Sequence, residues 1–229
     1  PKEKPFDDIE VRKAINLAID KNKIIQLAMN GKGSPIYTNM SPVMSKFLWA
    51  APEEKADPQK AKQILEEKKL LPIKFTLKVP NSSKIYLDTA QSIKEQLKEV
   101  GITVNLEIIE WATWLSDVYT NRKYVASLAG LAGKMEPDAI LRRYTSTYAK
   151  NFTNFNNARY DALIEEAKRT SNEAKQVENY KEAQKILAEE QAAIFLMDPN
   201  TIIATEKGIE GFEFYPLPYL NFAKLYFKK

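Results

Sequence analysis

Gly130 and Gly133 fall in the stretch LAGLAGKMEPDAIL and are two of only seven glycines in a chain of 229 residues. Glycine belongs where a backbone turns sharply or where another group must approach it closely. One glycine would satisfy a tight turn. Two, followed by Pro137 at a helix start, point to a backbone left open beside a helix N-terminus, where anionic or polar ligand groups are favoured. The chemistry implied is binding. Trp111 and Trp114 stand three apart on one face of a short helix. Both can be core anchors, or one ring can line a ligand cleft at the carboxyl end of a strand. Asn151, Asn154, Asn156 and Asn157 can build turns and a helix cap, or supply amides to a polar ligand.

Bond-making chemistry finds little to work with. The chain has no histidine and no cysteine, which removes imidazole bases, thiol nucleophiles, disulfides and nearly all zinc, copper and haem ligand sets. Glu53-Glu54, Glu66-Glu67, Glu165-Glu166 and Glu189-Glu190 are adjacent carboxylates, and sequence neighbours on a helix diverge. They point about 100° apart and read as solvated faces, not as acid/base pairs. No GxSxG elbow, phosphate loop or GxGxxG is present. An enzyme would have to use carboxylates, Lys, Tyr or Ser alone, so no catalytic, metal or cofactor site is expected. Lys and Arg total 34 against 30 acidic residues, a net charge of +4. The excess never gathers into a basic block, so nucleic acid is not an expected partner. No apolar run approaches the ~18 residues that a membrane span needs. The chain opens on PKEKPFDD with neither initiator Met nor signal peptide, which reads as a piece of a longer chain.

The elements that must position these residues follow from periodicity. DDIEVRKAINLAIDKNKIIQLAMNG reads as two helices, capped at Asp7 or Asp8 and at Asp20 and ended by Gly31, the first burying Val11, Ala14, Ile15 and Ala18. Residues 31–56 read as loop, with Phe47, Leu48 and Trp49 as anchors. Asp57-Pro58 opens a helix holding Ala61, Ile64 and Leu65. IKFTLKV alternates strictly, as does ITVNLEII, and between them runs a helix from about Ser82 that Gly101 closes. That is a βαβ unit with parallel strands and a right-handed crossover. KYVASLAG reads as a more buried strand running into the glycine segment. Pro137, ARYDALIEEAKR and NEAKQVENYKEAQKILAEEQAA mark three more helices, and AIFLM and TIIAT two short strands. The closing FEFYPLPYLNFAKLYFKK holds seven aromatics and should pack against something.

Four landmarks in order carry a resemblance. PFDDIEVRKAINLAIDKNKII is similar to the segment opening the second lobe of the family-5 solute-binding proteins of ABC importers, the peptide, nickel and oligosaccharide group. IYLDTAQSIKEQLKEVGITVNLEIIEWATWL is similar to that family's helix–GI.V–strand stretch. NFTNFNNARYDALIEEA resembles its sgysNpeyDalleeA stretch, and NFAKLYFKK its terminal strand. The resemblance implies an α/β fold, a mixed sheet with a parallel βαβ core, forming one type II periplasmic-binding-protein-like lobe of a two-lobe protein. Residues 1–192 would be the C-terminal ligand-binding lobe, and 193–229 a return segment and aromatic tail toward a first lobe. The implied function is non-catalytic: capture of a peptide or similar small polar solute between two lobes and delivery to a membrane permease. The setting would be periplasmic, or that of a cell-surface lipoprotein in a Gram-positive organism.

The family's peptide binders typically read GW..DY..P at the glycine turn, with an Asp for the peptide's amino terminus. Aligned on Glu136-Pro137, that Asp falls on Gly133 and the Trp on Gly130, and an arginine six residues before the Asp falls on Ser127. The candidate ligand-binding residues are therefore Tyr37, Trp114, Ser127, Gly130, Gly133, Lys134, Glu136 and Asn154, without the usual charged partners for peptide termini. Two rivals are an α/β enzyme using carboxylates or Lys, and an interaction module docking through its aromatic tail.

Overall fold

A computed structural model describes residues 3–215 and 221–228 of the chain. Helix α1 (Ile9–Ala18) starts where the Asp8 carboxylate accepts the Glu10 N–H at 2.8 Å. Helix α2 (Lys21–Met29) starts where Asp20 accepts from the N–H groups of Asn22 and Lys23, at 2.9 and 3.1 Å. These caps satisfy amides that the first helical turn leaves without partners. Strand β1 (Gly33–Pro35) follows, then an irregular stretch around a short 3-10 turn at Pro42–Met44. Helix α3 (Pro58–Glu67) opens under the Asp57 cap with Pro58 in its first turn.

Strand β2 (Ile73–Pro80), helix α4 (Lys84–Glu99) and strand β3 (Ile102–Ile109) form the expected parallel unit. The register runs from Ile73 opposite Ile102 to Pro80 opposite Ile109. Gly101 takes a φ of +85°, a conformation that L side chains rarely adopt, at the turn from helix to strand. Helix α5 (Trp111–Thr113) continues directly into a π-helical stretch over Trp114–Thr120. Strand β4 (Ala126–Ser127) joins β2 in parallel, and the sheet order is β3-β2-β4.

Helix α6 (Pro137–Leu141) leads by way of the asparagine-rich turn to the hairpin of α7 (Ala158–Arg169) and α8 (Glu173–Glu189). Strand β5 (Met197–Pro199) pairs antiparallel with β1, and β6 (Ile209–Glu210) with β7 (Tyr226–Phe227).

The apolar faces make two cores. One lies between α1, α3, α4 and the β2–β3 face; the other is centred on α7 and α8. Residues 193–197 stitch them together, with Ile194, Leu196 and Met197 packed on the first core and Ala193 and Phe195 on the second. Arg12 adds a polar tie. From α1 its guanidinium donates to the carbonyls of Phe6 (2.7 Å), Glu190 (2.8 Å) and Gln191 (3.2 Å), beside the C-terminal end of α8 where carbonyls lack helical partners. Gln184 on α8 is fully buried with both ends engaged. Its carbonyl accepts from Thr38 Oγ1 and the Trp49 N–H, and its amide donates to the carbonyls of Phe47 and Tyr180. The stretch read as loop is thereby pinned over the second core.

Several expectations need correction. KYVASLAG gives only a two-residue, half-buried strand at the sheet edge, where it pairs with β2 over Leu77 and Lys78 alone. Of AIFLM and TIIAT, only Met197 reaches a strand, and TIIAT forms none. Within the aromatic tail, Phe214, Phe222, Tyr226 and Phe227 are exposed among the described residues, so the packing expected for them is not found there. Tyr219 lies outside the described residues.

Lys21, at the start of α2, is 7% exposed. Its Nζ donates to the Ile36 carbonyl at 3.0 Å and lies 4.1 Å from the centre of the Tyr37 ring. Burial strips water from the ammonium and, with Glu54 opposing only in part, lowers its pKa from 10.5 to about 8. Between those values the unfolded chain holds a proton that the folded chain has lost, so stability must rise with pH across this window. From pH 8 to pH 10 the unfolding free energy should grow by about 2 kcal/mol more than in Lys21→Met. Denaturant titrations of both chains at the two pH values check it; equal pH dependence would refute the assignment.

Candidate functional site

A concavity of about 2060 Å³ opens at the carboxyl ends of β2, β3 and β4. Open α/β sheets characteristically bind ligands in such crevices. Its walls are the first turns of α4, Trp111 after β3, the 128–135 segment after β4, the 41–47 loop and residues 191–203.

The 128–135 segment is held from behind at several points. The Trp114 indole N–H donates to Ser127 Oγ at 2.9 Å, and Ser127 Oγ donates to the Lys78 carbonyl at 2.9 Å. The Leu128 N–H bonds the same carbonyl at 3.1 Å. Gly130 N–H then donates to Tyr86 Oη on α4 at 3.2 Å, and Arg143 Nη2 donates to the Ala132 carbonyl at 3.1 Å. Among the described residues, the N–H groups of Ala129, Leu131 and Gly133 and the C=O groups of Ala129 and Leu131 find no hydrogen-bond partner. Residues 130–133 are exposed, so these groups are open to solvent or to another chain, and a run of open donors and acceptors leading on from a strand can template another chain's backbone.

The two glycines do different work. A Cβ on Gly130 would stand 2.9 Å from Tyr86 Oη, so that hydroxyl fills the space. A Cβ on Gly133 would meet nothing within 4 Å. Aromatic rings back the wall: Trp111 and Trp114 stack with centroids 5.0 Å apart and planes 4° from parallel, and Tyr119 and Phe152 pack against Trp114. Burial raises the Tyr124 pKa to about 12 and also raises that of Tyr144, so both wall phenols stay protonated at neutral pH.

The model of the bacterial extracellular solute-binding proteins, family 5 middle region, matches residues 1–152. This chain belongs to that family. It is 29% identical to the oligopeptide-binding protein AppA of Bacillus subtilis, over 92% of this chain and 42% of that protein. It is 28% identical to a dipeptide-binding protein of Pseudomonas aeruginosa, over 93% and 42%. The structure of Bacillus subtilis AppA in complex with a nonapeptide superposes with a TM-score of 0.85 at 28% identity, taking in all of this chain and 49% of that one. Helicobacter pylori DppA in complex with the peptide STSA shares the fold at a TM-score of 0.87 and 22% identity, over all of this chain and 46% of that one. The fold is that of the type II periplasmic-binding proteins, and this chain spans less than half the length of the relatives it matches.

Within this family-5 chain, Ser127, Gly130, Gly133, Lys134 and Asn154 share the concavity wall. Three other candidates do not. Trp114 is 1% exposed and its N–H is spent on Ser127, so it supports the wall from inside. Tyr37 packs against Lys21, and Glu136 precedes α6 with its side chain off the wall. The ring that reaches the concavity is Trp111, at 39% exposure. Ser127 turns no free hydroxyl proton to the cleft, since that proton goes to Lys78. In the asparagine group, Asn151 donates to three carbonyls and Asn157 caps α7, leaving Asn154, at a φ of 55°, on the wall. Tyr86, Arg143 and the buried, unpartnered Thr89 Oγ1 also line it. Tyr86 falls in the helix expected from about Ser82, and no sequence signal marked any of the three as reaching the wall.

Gly130→Ala should cost about 1 kcal/mol of stability by pressing on Tyr86 Oη and displacing its hydrogen bond. Gly133→Ala should cost less than about 0.5 kcal/mol. In a Tyr86→Phe background the Gly130→Ala cost should largely vanish, as a double-mutant cycle by denaturant unfolding would show. Additive costs would mean that Tyr86 does not fill this space.

Proposed function

We propose that this chain is the C-terminal lobe of an extracytoplasmic receptor of an ABC importer, closing with a first lobe around a peptide or similar polar solute. The observation that carries the proposal is the set of open main-chain groups on Ala129, Leu131 and Gly133, on the wall of a concavity large enough for several residues of ligand. An extended peptide would continue the sheet's hydrogen bonding past β4. Trp111 and the apolar wall would receive side chains, and Gly130, Gly133, Lys134 and Asn154 would contact the ligand. The names of the relatives, which specify oligopeptides and dipeptides, support the same ligand class. No helix among the described residues is long and apolar enough to cross a membrane, so transport would require separate permease subunits.

The mechanism would be hinge closure, in which ligand bridging both lobes stabilises the closed form that docks on the permease. Beyond β5, the return segment would carry the exposed Phe214, Phe222, Tyr226 and Phe227 onto the first lobe.

Titration calorimetry with pentaalanine and its singly N-methylated forms tests this. The complete gene product should bind the parent peptide and lose about tenfold or more in affinity at those positions where N-methylation removes a paired N–H. The isolated lobe, with one wall of the cleft, should bind far more weakly. Equal binding by the isolated lobe, or indifference to methylation at every position, would contradict the reading.

A further inference from the structure

We infer that the cleft wall at Gly133 receives a carboxylate, not an ammonium, and that Lys134 and Arg143 select it. The inference rests on the peptide reading above and names the charge of the ligand group that this wall takes.

Most charged side chains on the concavity are already engaged. Arg12 donates to four main-chain carbonyls, Lys46 pairs with Glu173, Glu213 with Lys224, and Asp198 accepts the Ser41 hydroxyl. Glu3 stands on the side of Phe6, whose ring packs on Phe75 in the amino-terminal half of β2. The 128–135 segment is different. Arg143 spends one N–H on the Ala132 carbonyl, which brings its guanidinium beside Gly133 and leaves other N–H groups for a ligand. Lys134 is exposed, lines the concavity and makes no hydrogen bond or ion pair among the described residues. The Gly133 N–H is unpaired, and the space a side chain would take there is open.

No acid offsets these donors. Glu136 lies off the wall, and Asp138 carries an ion pair to Arg142 at 3.7 Å. A ligand ammonium at Gly133 would face two cations with only neutral main-chain carbonyls, such as those of Ala129 and Leu131, to accept from it, whereas a carboxylate could accept from the Gly133 N–H and be attracted by both cationic side chains. Hydrogen bonds between charged partners are roughly twice as strong as neutral ones. The carboxylate could be the carboxyl terminus of a peptide or an acidic side chain.

The test uses the complete gene product, stripped of ligand, offered randomised pentapeptide libraries with free termini, with an acetylated amino terminus, or with an amidated carboxyl terminus. Retained peptides are identified by mass spectrometry. Acetylation should change retention little. Loss of about tenfold on amidation would assign the site to the carboxyl terminus. Undiminished retention of amidated peptides, now enriched in Asp or Glu at one position, would assign it to a side chain. Lys134→Glu, which breaks no contact in the fold, should weaken or reverse whichever preference appears. Loss on acetylation without loss on amidation or acidic enrichment would overturn the inference and leave the peptide reading standing, as would an unaltered preference in Lys134→Glu. Retention of no peptide from any library would overturn the peptide reading and this inference with it.

Discussion

The Ser127 hydroxyl is the point at which the wall of the concavity is fastened to the fold. It accepts from the indole of Trp114 and donates to the carbonyl of Lys78, joining the π-helical stretch, the short strand β4 and the central strand β2. Beyond it the chain leaves the sheet with its main-chain groups open. Such a segment keeps a defined course only if something else holds it. Tyr86, from α4, and Arg143, from beyond α6, supply that hold by bonding Gly130 N–H and the Ala132 carbonyl. Neighbouring groups have no partner among the described residues. The wall is thus held in place without being self-satisfied, which would limit the ordering cost of the proposed binding.

The concavity exists because the two cores do not merge. The βαβ core and the α7–α8 core meet along residues 193–197, whose alternating side chains enter one and then the other, and at Arg12, which ties α1 to the carbonyls at the end of α8. Between these ties the carboxyl ends of the strands face open space. The 38–49 loop closes one flank of it, and the buried Gln184 amide, with four partners, keeps that loop in place. A half-satisfied amide there would be costly, so the loop and α8 are locked as one unit.

Much of the scaffold was legible because local signals agreed with the global fold. Strict alternation in IKFTLKV and ITVNLEII, the Asp8, Asp20 and Asp57 caps, and the positive-φ Gly101 all sit where periodicity put them. The site was less legible, since it depends on which residue of a correct pattern turns outward. Helical spacing set Trp111 and Trp114 on one face, but stacking leaves only the outer ring exposed to the cleft, and that ring is Trp111. The glycine pair was readable as an open backbone. That Tyr86 fills one position while the other stays empty depends on packing from an element more than forty residues away in the chain. Residues such as Thr89 and Arg143 look ordinary until the fold brings them to the wall. The over-long expectation for KYVASLAG has the same cause, since a strand's length depends on partners that its own sequence does not specify.

The central claim is that an open run of main chain holds a peptide. Native mass spectrometry of the complete gene product, purified without denaturation, tests it most directly by weighing what the cleft retains. A ladder of co-purifying masses that fragment as peptides of varied sequence is the predicted result, because main-chain pairing does not depend on side-chain identity. A single co-purifying non-peptide mass would contradict it and mean that the space at Gly133 serves another class of solute.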